Sequence, residues 1–379
     1  MNFELTEEQL FVRDAARDYA QRELIKDVLE RDEKAIFPAQ HIKNLAELGF
    51  LGMMVDPEYD GSGMDTISYV LAIEEISKID SSVGVIISVT NSLACYGLQQ
   101  YGTEEQKQKY LKPLARGEII GAFLLSEPEA GSDAMHQHTL AENKGDHYLL
   151  NGTKNWITSA STAGIYIVMA QTHPEKGYRG INAFIVEKDT PGITLGPHED
   201  KMGMRSSDTH SVMFNDVKVP KENRIGDDGF GYKFAMKALE SGRIGIAAQA
   251  VGIAGGAFQR ALVYAKERKA FGTEIANHQA IAFKLADMAV KIENGRNLCL
   301  KAAWQDNGKP FAKEGAMAKL YCADMAMEVT TEAVQIHGGY GYVKEYHVER
   351  LMREAKLTQI YEGTSEVQKI VISRSILRD

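Results

Sequence analysis

The sequence is poor in cysteine and has no closely spaced cysteine pair. Its three cysteines, Cys95, Cys299 and Cys322, are odd in number and lie far apart in a chain of 379 residues. This pattern indicates neither a disulfide framework nor a zinc site, and it favours a reducing compartment. The ten histidines include no HExxH motif and no set at metal-ligand spacing, so no metal site is expected.

Long apolar runs are also missing. The longest nearly apolar run, residues 244–258, is interrupted by Gln249 and consists largely of glycine and alanine. A helix that spans a bilayer needs about 20 apolar residues. We therefore interpret the run as a buried helix whose small residues permit close packing, and we expect no membrane association.

The N-terminus lacks the basic region and the apolar core of a signal peptide. Glu4, Glu7 and Glu8 make it too acidic for a transit peptide, so the cytoplasm is the expected location. The formal net charge of −9 argues against a protein that binds nucleic acid by neutralising phosphates. It leaves room for an anionic small ligand that a few local donors bind.

The periodicity of apolar residues divides the chain into three blocks. A helical block comes first, a block of short β-branched and aromatic segments follows, and a second helical block completes the chain. The sequence therefore predicts an α+β fold. Its expected parts are an N-terminal helical domain (1–116), a middle antiparallel β-sheet domain (117–228) and a C-terminal four-helix-bundle domain (229–379).

Local signals mark several element boundaries. Thr6-x-x-Gln9 and Thr103-x-x-Gln106 both have the form of a capping box, which starts a helix. Asn151-Gly152, between two β-patterned segments, is typical of a type I′ hairpin turn.

Near the C-terminus, the sequence places a carboxylate on a glycine turn. Glu362 and Gly363 lie between two segments with helical periodicity, and Thr364 or Ser365 can cap the second helix, with Gln368 as the reciprocal partner. From these residues alone, Glu362 is either a solvated group on a capped turn or an acid placed for chemistry.

Three other stretches have the composition of ligand-binding segments. The loop at residues 125–133 can direct hydroxyls and backbone N–H groups at a polar ring or a phosphate, or it is an ordinary surface loop. Trp156 and Thr158 share one face of a strand and suit a planar cofactor, unless the tryptophan belongs to the core. Residues 335–342 end a helix in three glycines, but no strand precedes them, which excludes a nicotinamide-type fingerprint.

These three stretches and the turn at Glu362 make four motifs. In this order and spacing, the four motifs resemble the acyl-CoA dehydrogenase family over essentially the whole chain. Residues 84–93 and 242–247 resemble its short-chain, butyryl-CoA members most closely. The resemblance implies FAD as the cofactor, a short-chain acyl-CoA as the substrate and electron-transferring flavoprotein as the electron acceptor. It also implies a homotetramer that acts in fatty acid metabolism.

The resemblance further implies a mechanism and a set of site residues. Glu362 would abstract the α-proton of the thioester while the β-hydrogen leaves as hydride to flavin N5, and burial should raise the pKa of this carboxyl. The backbone N–H of Glu362 and a flavin hydroxyl would polarise the thioester carbonyl. The implied FAD contacts are Phe123, Leu125, Ser126, Gly131, Ser132, Trp156, Thr158, Arg268, Phe271, Gln279, Gln335, Gly338, Gly339, Thr364 and Glu366, those from Arg268 to Gly339 partly across a subunit interface. The implied substrate contacts are Ser132, Glu240, Arg243 and Gly363.

The chain departs from the family pattern at several positions. Glu240 stands where an aspartate is usual, and His136 and His138 replace smaller residues without a role that we can assign. Gly242 occupies the position from which isovaleryl and long-chain members supply their base, which leaves Glu362 without a rival.

Two alternative functions stay open at this point. An acyl-CoA oxidase would share the fold and the base and would use dioxygen, although such oxidases usually carry a further C-terminal domain. A non-catalytic helical relative would share only the fold, and the intact motif at residues 361–364 weighs against it.

Overall fold

The N-terminal part of the chain is an all-helical layer. A computed structural model describes residues 4–306 and 308–378 of the chain. Two segments of the layer, Thr90–Cys95 and Lys107–Leu111, are π-helical and continue their neighbouring helices. The helices are α1 (Glu7–Arg22), α2 (Val28–Lys34), α3 (Ala39–Glu47), α4 (Thr66–Ser77), α5 (Ser81–Val89), α6 (Tyr96–Tyr101), α7 (Glu104–Gln106) and α8 (Lys112–Ala115).

Both predicted capping boxes are present. The Thr6 hydroxyl accepts the backbone N–H of Gln9 at 3.2 Å, and the Gln9 side chain accepts the backbone N–H of Thr6 at 3.0 Å. Thr103 and Gln106 make the same two bonds at 3.3 and 3.1 Å. Gln106 Nε2 also donates to the Arg224 carbonyl at 2.9 Å, so the second box joins the helical layer to the β block.

The middle of the chain forms one sheet. Its strands are β1 (Gly121–Leu124), β2 (Leu140–Asn143), β3 (His147–Thr158), β4 (Ile165–Gln171), β5 (Ile181–Glu187), β6 (Ile193–Leu195), β7 (Thr209–Pro220) and β8 (Arg224–Ile225). In the described residues the order is β6-β7-β3-β2-β4-β5-β8, with β1 beside β4. Most pairs are antiparallel, as predicted, but β1 and β2 meet β4 in parallel. The long connections between these strands allow that direction.

The hairpin predicted at Asn151-Gly152 is wrong. Strand β3 runs through this dipeptide, and its register against β7 shifts between Leu150 and Gly152. The Asn151 side chain forms two hydrogen bonds with Asp216 across the shift, at 3.0 and 2.9 Å. A β-bulge needs the same permissive residues as a tight turn, and Gly152 has a φ of 145°. The local signal therefore identified an irregular position but not its type.

The C-terminal part returns to helices, as predicted. They are α9 (Gly231–Glu267), α10 (Gln279–Gln305), α11 (Ala312–His337), α12 (Val348–Thr358) and α13 (Ser365–Ile376), and a short hairpin of β9 (Lys269–Ala270) and β10 (Thr273–Glu274) precedes α10. Helix α9 packs against α4, α10, α11 and α12. A Cβ at Gly252 or Gly256 would collide with the carbonyl of Glu74 or Lys78, so these glycines permit the close packing of α4 and α9.

Two helical stretches in the described part of the chain, Ser81–Tyr101 and Gly231–Glu267, are long and apolar enough to cross a membrane by length and composition alone. However, 94% and 72% of their apolar windows are buried inside the fold. A core helix of a large domain has the same composition as a membrane span. The interpretation of residues 244–258 as a buried helix is confirmed.

Candidate active site

Glu362 lies on the turn that joins α12 to α13, where the sequence predicted a helix break. The backbone is left-handed at both Glu362 (φ 52°) and Gly363 (φ 91°). For a residue with a side chain, this conformation costs about 1–3 kcal/mol, so the surrounding contacts must stabilise it. Thr364 caps α13 as predicted, because its hydroxyl accepts the backbone N–H of Val367 at 3.3 Å.

Two buried side chains fix the Gly363 carbonyl. Gln368 Nε2 donates to this carbonyl at 2.7 Å and to that of Glu362 at 3.3 Å, instead of completing the expected reciprocal cap. Lys319 Nζ donates to the same Gly363 oxygen at 2.7 Å from α11. The turn is therefore bound from its own helix and from a second helix.

The Glu362 carboxylate is buried and unpaired. In the described residues, neither of its oxygens has a hydrogen-bond partner. Burial raises the pKa of Glu362 to about 7, and the positive charges of Lys319 and Arg243 act in the opposite direction. The predicted direction of this pKa shift is confirmed. Because an unpaired buried carboxyl is costly, its presence indicates a site that a ligand completes.

Gly242 of α9 faces this carboxylate. A Cβ at Gly242 would overlap Glu362 Oε2 and would lie 3.0 Å from Leu93 Cδ2. The rival base position considered from the sequence is therefore adjacent to Glu362 in space. Only glycine leaves room for the present carboxylate.

Two predicted substrate contacts lie on the same helix, close to Gly242. Arg243 is buried, and its Nε has no hydrogen-bond partner among the described residues. Burial lowers the pKa of Arg243, while Glu240 and Glu362 raise it. Glu240 pairs with Lys237 at 3.0 Å. A buried guanidinium with free donor capacity suits an anionic or carbonyl group of a ligand.

The loop at residues 125–133 and the Trp156 segment come together, as two adjacent binding segments should. The backbone N–H of Asn155 donates to the Ser126 carbonyl at 2.8 Å. Trp156 is left-handed (φ 61°) and 62% exposed, whereas Ile157 is buried and Thr158 half-buried. The alternative of a core tryptophan is therefore wrong. A large exposed aromatic ring beside hydroxyls can stack on a planar group.

A buried lysine that the sequence reasoning missed supports this loop. Lys154 has no exposed surface, and its Nζ donates to the Leu125 carbonyl (3.1 Å), Glu127 Oε1 (2.8 Å) and Gln137 Oε1 (2.9 Å). Burial lowers the pKa of Lys154 to about 8, against the attraction of Glu127. Glu127 also accepts the backbone N–H groups of residues 138–139. The sequence signal for this buried residue was a lysine within a segment that has the pattern of a β-strand.

We expect Lys154→Met to destabilise the protein by about 3–5 kcal/mol, because it leaves the Glu127 carboxylate buried without a cation. Urea unfolding followed by tryptophan fluorescence measures the loss. The double variant Lys154→Met/Glu127→Gln should recover part of the stability, since neither side chain is then charged. A double variant no more stable than Lys154→Met would contradict the proposed pairing.

The other cofactor contacts predicted near this loop lie at its edge. Together, the predicted contacts in this region form the Trp156 group: Phe123, Leu125, Ser126, Gly131, Ser132, Trp156 and Thr158. Phe123, on β1, is half-buried and stacks on Phe234 of α9 with ring centroids 6.4 Å apart. Gly131 and Ser132 are exposed, and a Cβ at Gly131 would meet no atom within 4 Å. The loop therefore offers accessible backbone to a ligand.

The two unexplained histidines, His136 and His138, lie just after this loop, and both are exposed. His136 Nδ1 is 2.7 Å from Asp133 Oδ2, and the backbone N–H of His138 donates to Glu127 at 2.5 Å. Among the described residues, no contact of either ring points to a role in chemistry.

A second group of predicted cofactor contacts lies around the end of α11. This Arg268 group consists of Arg268, Phe271, Gln279, Gln335, Gly338 and Gly339. Arg268, Gly338 and Gly339 line a cleft of about 550 Å³, and the Arg268 guanidinium lies 5.4 Å from the centroid of the Tyr340 ring. Gly338 ends α11 with a φ of 60°, which confirms the predicted helix stop. A Cβ at Gly339 would meet no atom within 4 Å, so a ligand can approach this backbone closely.

The remaining predicted contacts are exposed or lie at helix starts. Phe271, at the tip of the β9–β10 hairpin, is 97% exposed and left-handed (φ 55°). Gln279 begins α10, Gln335 is exposed on α11, and Glu366 is exposed in the first turn of α13. Within the described residues, no hydrogen bond or ring contact joins the Arg268 group to the Trp156 group. Within one chain, the predicted cofactor contacts therefore form two separate groups.

Comparison with known proteins identifies the family. The models for the N-terminal, middle and C-terminal domains of acyl-CoA dehydrogenase match residues 6–118, 122–217 and 229–377 in succession. The chain belongs to the acyl-CoA dehydrogenase family. The resemblance and the fold class predicted from the sequence are thereby confirmed. Membership makes the protein an oxidoreductase acting on acyl-CoA, with FAD as its cofactor.

Several acyl-CoA dehydrogenases are similar over their full length. A short-chain specific acyl-CoA dehydrogenase of Clostridium acetobutylicum is 50% identical over 379 residues, which is 100% of both chains. The structure of butyryl-CoA dehydrogenase from Megasphaera elsdenii aligns with a TM-score of 0.98 at 49% identity and covers all of both chains. A chain solved in a study of the electron transferring flavoprotein of Acidaminococcus fermentans aligns at 0.99 and 50%, again over both full lengths.

The residues present fit FAD. Trp156 offers an exposed aromatic face for a flavin ring, and the loop that contains Gly131 offers backbone without an obstructing side chain. The cleft beside Arg268 supplies a cation and the open glycines Gly338 and Gly339, which suit a phosphate-containing group. The acyl-CoA dehydrogenase cofactor therefore has suitable residues at both groups.

Proposed function

We propose that this protein is a short-chain acyl-CoA dehydrogenase that converts acyl-CoA thioesters to trans-2-enoyl-CoA and passes the electrons to electron-transferring flavoprotein. The observation that carries the proposal is the buried, unpaired Glu362 carboxylate beside Gly242, with a pKa raised to about 7. A base for the α-carbon of a thioester needs such a site, since an ionised carboxyl with a pKa near neutrality is both available and sufficiently basic.

Glu362 would abstract the α-proton and hold it on its carboxyl group. The α-proton is weakly acidic, so the thioester carbonyl must be polarised as negative charge develops on it. The backbone N–H of Glu362 has no hydrogen-bond partner among the described residues and can donate to that carbonyl. Bound FAD supplies the acceptor for the hydride that leaves the β-carbon.

Other residues of the chain would bind and orient the two ligands. Arg243 lies on α9 within electrostatic reach of Glu362, and Glu240 lies on the same helix. Both would contact the substrate together with Ser132 and Gly363. The proposed FAD contacts in the first group are Phe123, Leu125, Ser126, Gly131, Ser132, Trp156 and Thr158. Thr364 and Glu366 follow the base, and the second group contains Arg268, Phe271, Gln279, Gln335, Gly338 and Gly339.

We further propose a homotetramer in which one subunit completes the FAD site of another. The fully exposed Phe271 and the exposed apolar side chains of Phe283 and Val290 on α10 support this assembly, because such surfaces are usually covered by another chain. We propose the cytoplasm as the location, because three widely spaced cysteines favour a reducing compartment. We also propose residues 1–116, 117–228 and 229–379 as the three domains, since the type of element changes near those limits.

Anaerobic titration with butyryl-CoA tests the proposal. Butyryl-CoA should bleach the flavin absorbance within seconds, more completely than octanoyl-CoA or a branched acyl-CoA, and electron-transferring flavoprotein should restore it. A flavin that butyryl-CoA does not bleach would refute the proposed function. Rapid reoxidation in air would instead indicate an acyl-CoA oxidase, and a purified protein without flavin would indicate a non-catalytic relative.

The pH dependence of the same reaction has a definite sign. Glu362 accepts a proton only when it is ionised, and its pKa is raised to about 7. The bleaching rate should therefore rise with pH through about 7, and it should fall about tenfold per pH unit well below that value. Stopped-flow measurements between about pH 5.5 and 9 measure this profile. A rate that is flat across this range would contradict a base with this pKa.

A further inference from the structure

The buried ammonium group of Lys319 lacks the partner that such a group usually has. Lys319 lies on α11, has no exposed surface and donates to the Gly363 carbonyl at 2.7 Å. In the described part of the chain, no carboxylate lies within salt-bridge distance of its Nζ. A buried cation normally pairs directly with an anion, because desolvation of the charge is costly. The charge on Lys319 must therefore be balanced by an anion that lies beyond salt-bridge distance.

The strongest candidate for that counter-charge is Glu362, because the Lys319 ammonium group lies 2.7 Å from the carbonyl of Gly363, the residue that follows Glu362. Burial lowers the pKa of Lys319 to about 8, and Glu362 is the first of the groups that raise it again, ahead of Asp324 and Glu366. The relation is reciprocal, since Lys319 precedes Arg243 among the groups that lower the pKa of Glu362.

Three further titratable groups, Arg243, Tyr69 and Tyr361, lie near Glu362. Arg243 of α9 disfavours the charge on Lys319 and favours that on Glu362. The hydroxyls of Tyr69 on α4 and Tyr361 on the turn lie within electrostatic reach of Glu362, and burial raises the pKa of both above its ordinary value. These phenols stay neutral at physiological pH, so Lys319 and Arg243 are the cations that oppose the Glu362 charge.

We propose that Lys319 is a positioning residue for the proposed base: it holds the left-handed turn through the Gly363 carbonyl and supplies the positive charge that complements the Glu362 carboxylate. This inference rests on the proposed function only for its catalytic consequence. The hydrogen bond of Lys319 adds to that of Gln368 on the same oxygen, so the turn is fixed from two directions. The Lys319 ammonium group also supplies a positive charge that complements the Glu362 carboxylate. Gln368 cannot supply this charge, because its amide is neutral.

The test compares three variants of the FAD-loaded protein. Lys319→Met removes both the charge and the hydrogen bond, whereas Lys319→Gln removes the charge and keeps a donor. Lys369→Met removes one exposed positive charge from α13, next to the turn, and serves as the matched control. The primary measurement is an infrared pH titration of the protonated Glu362 carboxyl, whose band is identified by its absence in Glu362→Gln.

We expect the titration midpoint of Glu362 to rise by about one pH unit or more in Lys319→Met and in Lys319→Gln, because a nearby opposite charge has been lost. Lys369→Met should titrate like the unmodified protein. The rate of flavin bleaching at pH 7 should fall at least about fivefold in the two Lys319 variants, because about half of the base is ionised when the pH equals its pKa and only about a tenth one pH unit below it. The rate should recover at higher pH.

An unchanged Glu362 midpoint in both Lys319 variants would overturn the proposal, even if their thermal stability fell, since loss of stability alone reports only a structural lysine. Lys319→Gln carries the same test should Lys319→Met not fold. The infrared titration needs no substrate. It therefore tests the coupling of Lys319 and Glu362 even if butyryl-CoA fails to bleach the flavin and the proposed function is wrong.

Discussion

Glu362→Gln should lower the rate of flavin bleaching by butyryl-CoA by at least about 10²–10⁴-fold, the range that a positioned general base contributes. The substitution preserves the size of the side chain but removes its capacity to accept the α-proton. FAD should stay bound, because Lys319 and Gln368 hold the turn through backbone carbonyls that the substitution does not alter. Flavin absorbance measures both quantities on one sample.

Glu47→Gln is the control for this experiment, since Glu47 is an exposed carboxylate at the end of α3. It should bleach at the rate of the unmodified protein. Turnover of Glu362→Gln near that rate would remove Glu362 from the proposed mechanism. Loss of flavin from the variant would show instead that the carboxylate is needed for cofactor retention.

Gly242→Ala should lower the bleaching rate about 10²-fold, the scale of effect that a displacement of about 1 Å has on a reacting group. The new methyl group would overlap Glu362 Oε2 and press on Leu93, so the carboxylate must move from its present position. Stopped-flow bleaching at saturating butyryl-CoA separates this effect from weaker substrate binding.

Gly255→Ala on the same helix provides the matched control. A Cβ at Gly255 would meet only the flexible Lys78 side chain, at 3.4 Å, which is an ordinary contact. This variant should keep its rate and gain up to about 1 kcal/mol of stability from the better helix propensity of alanine. If Gly242→Ala and Gly255→Ala bleach equally fast, the space beside Glu362 has no catalytic importance.

The parts of the fold that follow from short-range chemistry were predictable. The boxes begun by Thr6 and Thr103 form because each is satisfied by a residue three positions away. The Asn151-Gly152 dipeptide was misinterpreted, since the partner that decides between a turn and a bulge is Asp216, far along the chain. The parallel pairing of β1 with β4 depends equally on distant residues.

The candidate site was predictable where motifs identify residues, and less so where buried charges support them. The role of Glu362 came from family resemblance, because the residues alone left a solvated turn as an alternative. Lys154 and Lys319 were missed because each donates to a carbonyl 29 or 44 positions away, and neither position follows from periodicity. The exposure of Trp156 also depends on a left-handed backbone that alternation along a strand does not reveal.

The separation of the Arg268 group from the Trp156 group has a thermodynamic consequence for the proposed assembly. If each FAD bridges two polypeptides, then cofactor uptake and subunit association form one linked equilibrium, and each favours the other. Dilution would then release flavin as well as dissociate subunits, and newly made chains would mature only as fast as they meet both a partner and a cofactor.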